Sequence, residues 1–255
     1  MNLAISNLAW DKEEQNEMFD FLKKNGINTI ESIFTKIDEW ENLNNKSIHE
    51  YKKNLDAKNI NISSFQSIFY KTICNDINNE SQIIEHFKKI IFFAEKLSAK
   101  VLVFGSPNLR KLNDSKSDNI DRIFKKLDET ISDSSIKICI EPNSKIYGGH
   151  FFYNLEEIVN FIKNNELKNI KSMIDTHNSL LEGFNPIDEL NKFYDYVYHV
   201  HVSENKLQNI YNDEFHKNFH NELKTLKYNK IITHEVLKNK EVDKSIKNFI
   251  KIYGK

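Results

Sequence analysis

The sequence is poor in cysteine, glycine, proline and arginine. Two cysteines, Cys74 and Cys139, are too few for a disulfide scaffold and show no metal-ligand spacing, which fits a reducing compartment. Six glycines and three prolines disfavour linkers, turn-rich solenoids and collagen-like segments. No apolar run is long enough to span a bilayer, and the first residues lack the basic leader and apolar core of a signal peptide. These absences predict a cytoplasmic protein without membrane segments.

The chain also lacks a large excess of positive or negative charge. The 36 Lys and Arg residues nearly balance 37 Asp and Glu, which gives no overall attraction to nucleic acid or to an anionic membrane. Hydrophobic residues make up 39% of the chain and aromatic residues 12%, which supplies a core and excludes an intrinsically disordered chain. We therefore expect a globular protein without a nucleic-acid or membrane partner, and the sequence leaves a homo-oligomer open.

Short runs rich in Ile and Val alternate with amphipathic helical stretches, a pattern typical of βα units. The predicted strands are Leu3–Asn7, Thr29–Ile33, Asn61–Ser64, Lys100–Phe104, Ile136–Ile140, Ile170–Ile174, Val197–Val202 and Lys230–Thr233. The clearest predicted helices are Glu13–Asn25, Ser81–Ser98, Lys116–Ser132, Asn154–Asn165 and Val242–Tyr253. Weaker helical patterns lie in Lys36–Asp56 and Pro186–Phe193, and Asn205–Leu226 fits a loop followed by a helix.

Eight such units predict an α/β fold, a closed (β/α)₈ TIM barrel forming a single domain over residues 1–255, because closure removes both edges of the sheet. The alternative is an open doubly wound sheet. That fold favours a glycine-rich first turn, which the segment from Ser6 to Trp10 does not supply.

The last four predicted strands end in residues that bear chemistry. Alternate residues of a strand face opposite sides, so parity predicts which side chains point into the barrel. By this rule Glu141, Asp175, His201 and Glu235 all point inward, whereas His234 faces the helices. Because barrel active sites lie at the C-terminal ends of the strands, we expect the four inward residues to converge at one mouth.

Three carboxylates crowded together repel one another, and a divalent cation is the simplest remedy. Three oxygen donors and one imidazole suit one Mn²⁺, Mg²⁺ or Co²⁺ ion, and Zn²⁺ is left open. For any one of these acids alone, a helix cap or a lysine pair would be the simpler explanation. The shared parity of all four favours a metal site instead.

Further residues near the predicted mouth are candidates for substrate binding, and they are Glu31, His150, His177, Arg110 and Trp10. The structural alternatives are a lysine pair for Glu31, loop packing for His150, surface exposure for Arg110 and core packing for Trp10.

Three other histidines have structural interpretations. His199 has the parity of His201 one layer lower, which favours a packed histidine over another metal ligand. His216 and His220 are four residues apart, and we expect them on a solvated helix face.

Several segments carry a resemblance to a known family. They are Cys139–Asn143 with Gly149–Phe151, Met173–His177, His199–Asn205, His234–Val236 and, nearer the N-terminus, Ile5–Trp10, Gly26–Glu31 and Phe104–Pro107. In order and spacing they resemble the xylose isomerase-like TIM barrel superfamily, in its sugar phosphate isomerase/epimerase branch. The resemblance implies that Glu141, Asp175, His201 and Glu235 hold one divalent metal and that the two glutamates, Glu141 and Glu235, are catalytic and handle substrate protons.

Moving a proton between carbons beside a carbonyl needs a base, an acid and a group that stabilises the enediolate charge, which a chelating cation supplies. The predicted function is a divalent-metal-dependent sugar or sugar phosphate isomerase or epimerase acting by proton transfer through a metal-stabilised enediolate. The sequence does not separate the two reactions. The alternatives are a lyase or dehydratase on the same barrel and, less favoured, a multi-zinc repair endonuclease or a non-catalytic binding protein.

Overall fold

A computed structural model describes residues 1–74, 76–111, 117–211 and 213–254. Eight parallel strands close into one barrel, in which each strand pairs with the next and the last pairs with the first. The strands are β1 (Asn2–Ser6), β2 (Thr29–Ser32), β3 (Asn61–Phe65), β4 (Val101–Phe104), β5 (Lys137–Ile140), β6 (Ile170–Asp175), β7 (Val197–Val202) and β8 (Ile231–His234). The predicted TIM barrel is confirmed.

Helices connect successive strands on the outside of the barrel. They are α1 (Gln15–Lys24), α2 (Asn45–Lys58), α3 (Glu80–Lys96), α4 (Ser117–Thr130), α5 (Leu155–Asn164), α6 (Thr176–Leu181), α7 (Pro186–Phe193), α8 (Asp213–Thr225) and α9 (Val242–Tyr253). The sequence predicted all of them except α6. The predicted start of α4 at Lys116 lies outside the described residues, as does Asn212 before α8.

The two faces of the strands separate as parity predicts. On β5, Ile138 and Ile140 are fully buried in the main core between strands and helices. Cys139 belongs to a separate small cluster, whose other buried members are Val101, Val103 and Met173. This second cluster has the opposite parity, so it fills the inside of the barrel and leaves the strand ends free to carry polar side chains.

His234 joins the barrel to its last helix. Its Nε2 lies 2.9 Å from the hydroxyl of Ser245, and its Nδ1 lies 3.1 Å from the carbonyl oxygen of Val202. The ring stacks on Phe249 with centroids 5.1 Å apart. Burial lowers the pKa of His234 to about 4, so the ring is neutral near pH 7. The predicted outward orientation of His234 is confirmed.

His216 and His220 are buried, and the prediction of a solvated helix face for them is wrong. His216 Nδ1 lies 2.8 Å from the hydroxyl of Tyr253, and its Nε2 lies 3.1 Å from Oε1 of Glu204. The ring of His220 lies 5.4 Å from the ring of Tyr253. The reason is that α9 packs on this face of α8, which the spacing within α8 does not reveal.

Within the described part of the chain, no helix combines the length and the apolar character needed to cross a membrane.

We expect His216→Ala to lower the free energy of unfolding by about 2–3 kcal/mol, because it removes a buried ring and two hydrogen bonds. Urea denaturation measures the effect. Lys217→Ala, at the exposed next position, is the control and should change stability by less than about 0.5 kcal/mol. Equal stability of the two variants would show that the buried contacts of His216 contribute nothing.

Candidate metal centre

The last four strands bring four side chains to one point at the C-terminal mouth of the barrel. Glu141 follows β5, Asp175 ends β6, His201 lies near the end of β7, and Glu235 follows β8. Asp175 and His201 are paired directly across the sheet. One potential ligand atom from each of the four lies within 4.8 Å of all the others.

The imidazole of His201 is at the centre of this cluster. Its Nδ1 lies 3.1 Å from Oε1 of Glu141, 3.3 Å from Oε2 of Glu235 and 4.0 Å from Oδ2 of Asp175. The His201 side chain is fully buried, and the carboxylates are buried or nearly so. Burial opposes protonation of the ring, but the carboxylates of Glu31 and Glu235 outweigh it and raise the pKa of His201 well above its usual range.

Glu31 lies beneath His201, in the interior of the barrel. Its Oε1 is 2.8 Å from Nε2 of His201, and its Oε2 is 2.9 Å from Nε2 of His199. The hydroxyl of Ser64 donates to the same Oε2 at 2.5 Å. Burial opposes ionisation of Glu31, yet the two histidines hold the pKa of its carboxyl well below the usual range.

This contact sets the orientation of the ring. With Nε2 turned toward Glu31, Nδ1 faces the three upper carboxylates, as in the carboxylate–histidine pairs that orient metal ligands. The side chain of Glu31 is fully buried and its partners are two histidines instead of the lysine considered as an alternative, and its substrate-binding role stays a prediction. His199 lies in the lower layer, where the sequence placed it.

Asp175 accepts hydrogen bonds from two groups outside the four-residue cluster. The hydroxyl of Ser203 lies 2.8 Å from Oδ1 and 2.9 Å from Oδ2, and the backbone N–H of Asn178 donates to Oδ1 at 2.7 Å. The second contact makes Asp175 the N-cap of α6. No role for Ser203 was predicted from the sequence. A hydroxyl two residues after His201 is the signal that could have indicated one.

Glu141 is positioned by a glycine and an amide. The side-chain amide of Asn143 donates to Oε2 of Glu141 at 3.2 Å. A Cβ atom at Gly105, just after β4, would clash with the same oxygen. Only glycine leaves this space free, so Gly105 is part of the site although it has no side chain.

Arg110 lies behind Glu141 and is fully buried. Its Nη2 donates to the carbonyl oxygens of Phe104 at 2.6 Å and of Glu141 at 2.8 Å, and its Nη1 donates to that of Phe152 at 3.2 Å. The surface alternative for Arg110 is wrong, because the side chain is fully buried, and its substrate-binding role stays a prediction. The guanidinium instead ties the ends of β4 and β5 to the loop after β5.

The remaining candidate substrate-binding residues differ in how far they are buried. Trp10 is buried and packs edge-on against Phe19, which agrees with core packing and leaves no ring face for a sugar. His177 is half-buried in the first turn of α6, and its backbone N–H donates to the hydroxyl of Ser203. His150 is exposed in the loop after β5. For His177 and His150, substrate binding stays a prediction.

Tyr147 is a neighbour of the cluster that the sequence did not indicate. Its phenol is partly exposed in the loop after β5. Partial burial, together with the charges of Asp175, Glu141 and Glu235, raises the pKa of the phenol. A tyrosine near Glu141 in a short loop after a predicted strand gives a weak signal of this kind.

The donor set fits a divalent cation. Burial and the charges of Glu141 and Glu235 raise the pKa of Asp175 to about 7, and burial with neighbouring carboxylates also raises the pKa of Glu235. Ionised together, these groups repel one another, and a cation among them would offset the repulsion. Three carboxylates and one imidazole nitrogen are the donors that Mn²⁺, Mg²⁺ and Co²⁺ accept.

The histidines that a multi-zinc endonuclease would need lie elsewhere. His49 is exposed on α2, and His86 is on α3, with its Nε2 2.6 Å from the carbonyl oxygen of Ile68. Within the described ranges, the only other candidate cluster consists of Glu31, His199 and His201, whose contacts are those already given.

Comparisons with known proteins agree with this architecture. Residues 19–252 match the family model described as xylose isomerase-like TIM barrel. A 3-keto-D-glucoside 4-epimerase from E. coli shares 14% identity and a TM-score of 0.79, covering 100% of both chains. A D-psicose 3-epimerase from Clostridium cellulolyticum H10 shares 12% identity and a TM-score of 0.80, covering 100% of this chain and 98% of the other.

A third solved structure, a probable 3-DHS dehydratase from Bacillus anthracis, shares 11% identity and a TM-score of 0.71, covering 98% of both chains. No curated protein matches the sequence. At these identities the structural likeness establishes the fold.

The raised pKa of Asp175 predicts a pH dependence of stability in the metal-free protein. A carboxyl group whose pKa is raised by folding stabilises the protein below its unfolded pKa of about 3.9, and that contribution is lost as pH rises through about 7. Between these limits, Asp175→Asn should gain stability relative to wild type by up to about 1.4 kcal/mol per pH unit.

Urea denaturation in EDTA measures this difference. Excess Mn²⁺ should reverse it near pH 7 by stabilising the wild type alone. A difference that does not change with pH would show that folding does not raise the pKa of Asp175.

Proposed function

The chain belongs to the xylose isomerase-like TIM barrel family, and from that membership we propose that it is a divalent-metal-dependent sugar isomerase or epimerase that works by proton transfer. The observation that supports the proposal most directly is the convergence of three carboxylates, from the ends of β5, β6 and β8, on one imidazole nitrogen. In this proposal, two of these carboxylates exchange protons with the substrate, and the third serves only as a metal ligand.

Glu141, Asp175, His201 and Glu235 would hold the cation. When bound, a divalent cation stabilises the negative charge that develops on a sugar carbonyl oxygen as a neighbouring carbon loses its proton. The Glu31 carboxylate holds the His201 ring from below, so that Nδ1 stays directed at the site.

Glu141 and Glu235 are the proposed proton carriers. They come from different strands, β5 and β8, and in this proposal they act on two sides of one substrate. Burial, together with the carboxylates of Glu141 and Glu31, raises the pKa of Glu235 in the metal-free protein, which favours its role as a proton acceptor. Asp175 is bonded to Ser203 and to the backbone of Asn178, so it serves as a fixed ligand.

Epimerisation of a keto sugar is the finer reaction that we propose. In support, two of the matching structures are a 3-keto-D-glucoside 4-epimerase and a D-psicose 3-epimerase. In an epimerase, one glutamate removes the proton from one face of the carbon and the other glutamate returns a proton to the opposite face. The positions of Glu141 and Glu235 on two strands suit this division.

A dehydratase is the second candidate, supported by the matching probable 3-DHS dehydratase. The same base would remove a proton beside a carbonyl, and the substrate would then lose water. Product analysis separates the two functions, because an epimerase product has the mass of its substrate and a dehydratase product is lighter by one water.

We expect the purified protein to bind one divalent cation per chain, and Asp175→Asn or His201→Ala to lose most of the affinity. Elemental analysis and calorimetric titration with Mn²⁺ measure this. His234→Gln is the matched control, since its ring faces α9, and it should bind Mn²⁺ as wild type does. Finding no metal, or several ions per chain, would contradict a single site.

Glu235→Gln preserves the size of the side chain and an oxygen donor but removes the base. In D₂O with saturating Mn²⁺, it should slow deuterium uptake beside the carbonyl of a ketose by about 10²–10⁴-fold. Suitable substrates for the screen are D-psicose, D-fructose, ketose phosphates and 3-keto glucosides.

Metal occupancy must be measured in the same samples, and Glu129→Gln, an exposed glutamate on α4, is the control. Wild-type turnover in fully loaded Glu235→Gln would refute the role of Glu235. Turnover without solvent label would instead indicate a hydride shift, in which the two glutamates act only as ligands.

A further inference from the structure

A second group of polar side chains lies in the barrel interior, beneath the four-residue cluster. Its members come from four different strands and are all fully buried. We call them the lower layer: Glu31 from β2, Ser64 from β3, His199 from β7 and Thr233 from β8. None of the four is a proposed metal ligand. Polar groups in a dry interior cost free energy unless they are hydrogen-bonded, so their contacts are informative.

The carboxylate of Glu31 divides its two oxygens between the two levels. Oε1 lies 2.8 Å from Nε2 of His201, in the upper cluster. Oε2 lies 2.9 Å from Nε2 of His199, and the hydroxyl of Ser64 donates to it at 2.5 Å. Because both oxygens belong to one planar group, the contacts of Oε2 also fix the place of Oε1.

Packing alone does not explain a histidine at position 199. Besides the contact with Glu31, its Nε2 lies 3.4 Å from the hydroxyl of Thr233. Its Nδ1 is buried and has no hydrogen-bond partner within the described part of the chain. An apolar side chain would fill the space without an unpaired nitrogen, which costs about 1–3 kcal/mol. What His199 adds to the interior is therefore its hydrogen bond to Glu31.

Glu31 links two histidines of one strand. The rings of His199 and His201 have centroids 5.0 Å apart and planes at 76°, and the same carboxylate contacts both. A movement of Glu31 away from His201 would strain its contacts with His199 and Ser64 as well. The lower layer therefore resists any movement that would free the His201 ring.

The surroundings make these hydrogen bonds important. The small interior cluster beside the lower layer consists of Val101, Val103, Cys139 and Met173, and Met173 is paired with His199 across the sheet. None of these four side chains carries an N–H or O–H group that could replace a lost donor. In such apolar surroundings, hydrogen bonds to a carboxylate are strong and their loss is costly.

We propose that His199 and Ser64 are positioning residues for the metal centre. Their hydrogen bonds to Oε2 of Glu31 hold the other oxygen of that carboxylate against His201, and they raise the affinity for a divalent cation without contacting it. This inference rests on the proposed function, which places the cation at Nδ1 of His201. Partners that orient a ligating histidine change metal affinity by about 10–100-fold when they are removed.

Calorimetric titration of the full chain with Mn²⁺ tests the proposal. His199→Leu removes the donor and should weaken Mn²⁺ binding by about 10–100-fold. His199→Gln, whose amide N–H can take the place of Nε2–H, should restore most of the affinity. Ser64→Ala is a smaller change that should weaken binding in the same direction, and Ser64→Thr keeps the hydroxyl and should bind as wild type does.

Val101→Ala is the matched control, because Val101 is buried in the same barrel interior and has no polar side-chain atom. It should lower the midpoint of urea denaturation and leave the Mn²⁺ affinity unchanged. Wild-type affinity in both His199→Leu and Ser64→Ala, or an equal loss of affinity in Val101→Ala, would overturn the proposal.

The titration also counts the bound ions. Glu31, His199 and His201 together could instead hold a cation of their own. A second Mn²⁺ ion that binds to the wild type and is lost in His199→Leu would overturn the proposal and assign these residues to that cation.

Nuclear magnetic resonance of the metal-free protein separates this inference from the proposed function. The Nε2 hydrogen of His201, bonded to a buried carboxylate, should give a low-field resonance that exchanges slowly with water, and His201→Ala identifies it. His199→Leu should speed the exchange. This response in a protein that binds no Mn²⁺ would refute the cation site and confirm the anchoring of His201. Mn²⁺ binding by the wild type without this response in His199→Leu would refute the positioning alone.

Discussion

The imidazole of His201 lies between carboxylates on both of its nitrogens, and the geometry of the mouth depends on this arrangement. Glu31 lies 2.8 Å from Nε2, and Glu141 and Glu235 lie 3.1 and 3.3 Å from Nδ1. A rotation of the ring would break contacts on both sides at once. The closed barrel makes the arrangement possible, because β2 and β7 lie across its interior from each other and can meet at Glu31 and His201.

Parity along single strands was sufficient to predict much of the fold and the upper part of the site. The alternation of apolar residues on β5 to β8 fixed which side chains point inward, and the structure brings Glu141, Asp175, His201 and Glu235 together. The depth of each inward side chain within the barrel was harder to predict. Glu31 also has inward parity, but the sequence does not show that its carboxylate ends below His201 instead of in the open mouth.

The errors share a physical cause. Arg110 lies in a loop where a charged side chain is expected to face water, yet the ends of β4 and β5 present it with carbonyl oxygens from distant parts of the chain. His216 lies on a polar helix, and its partners Glu204 and Tyr253 come from a different loop and a different helix. Burial of polar groups by residues far away in sequence leaves no periodic pattern to detect.

The two ends of helix α6 lie in different surroundings. Its N-terminus is capped by Asp175, and its last two residues, Leu180 and Leu181, are exposed. With a rise of about 1.5 Å per residue, its six residues span only about 9 Å, so its two ends are close together. If a molecule that binds at these two leucines changes the affinity for a cation at Asp175, then the cation changes the affinity for that molecule by the same factor, because thermodynamic linkage is reciprocal.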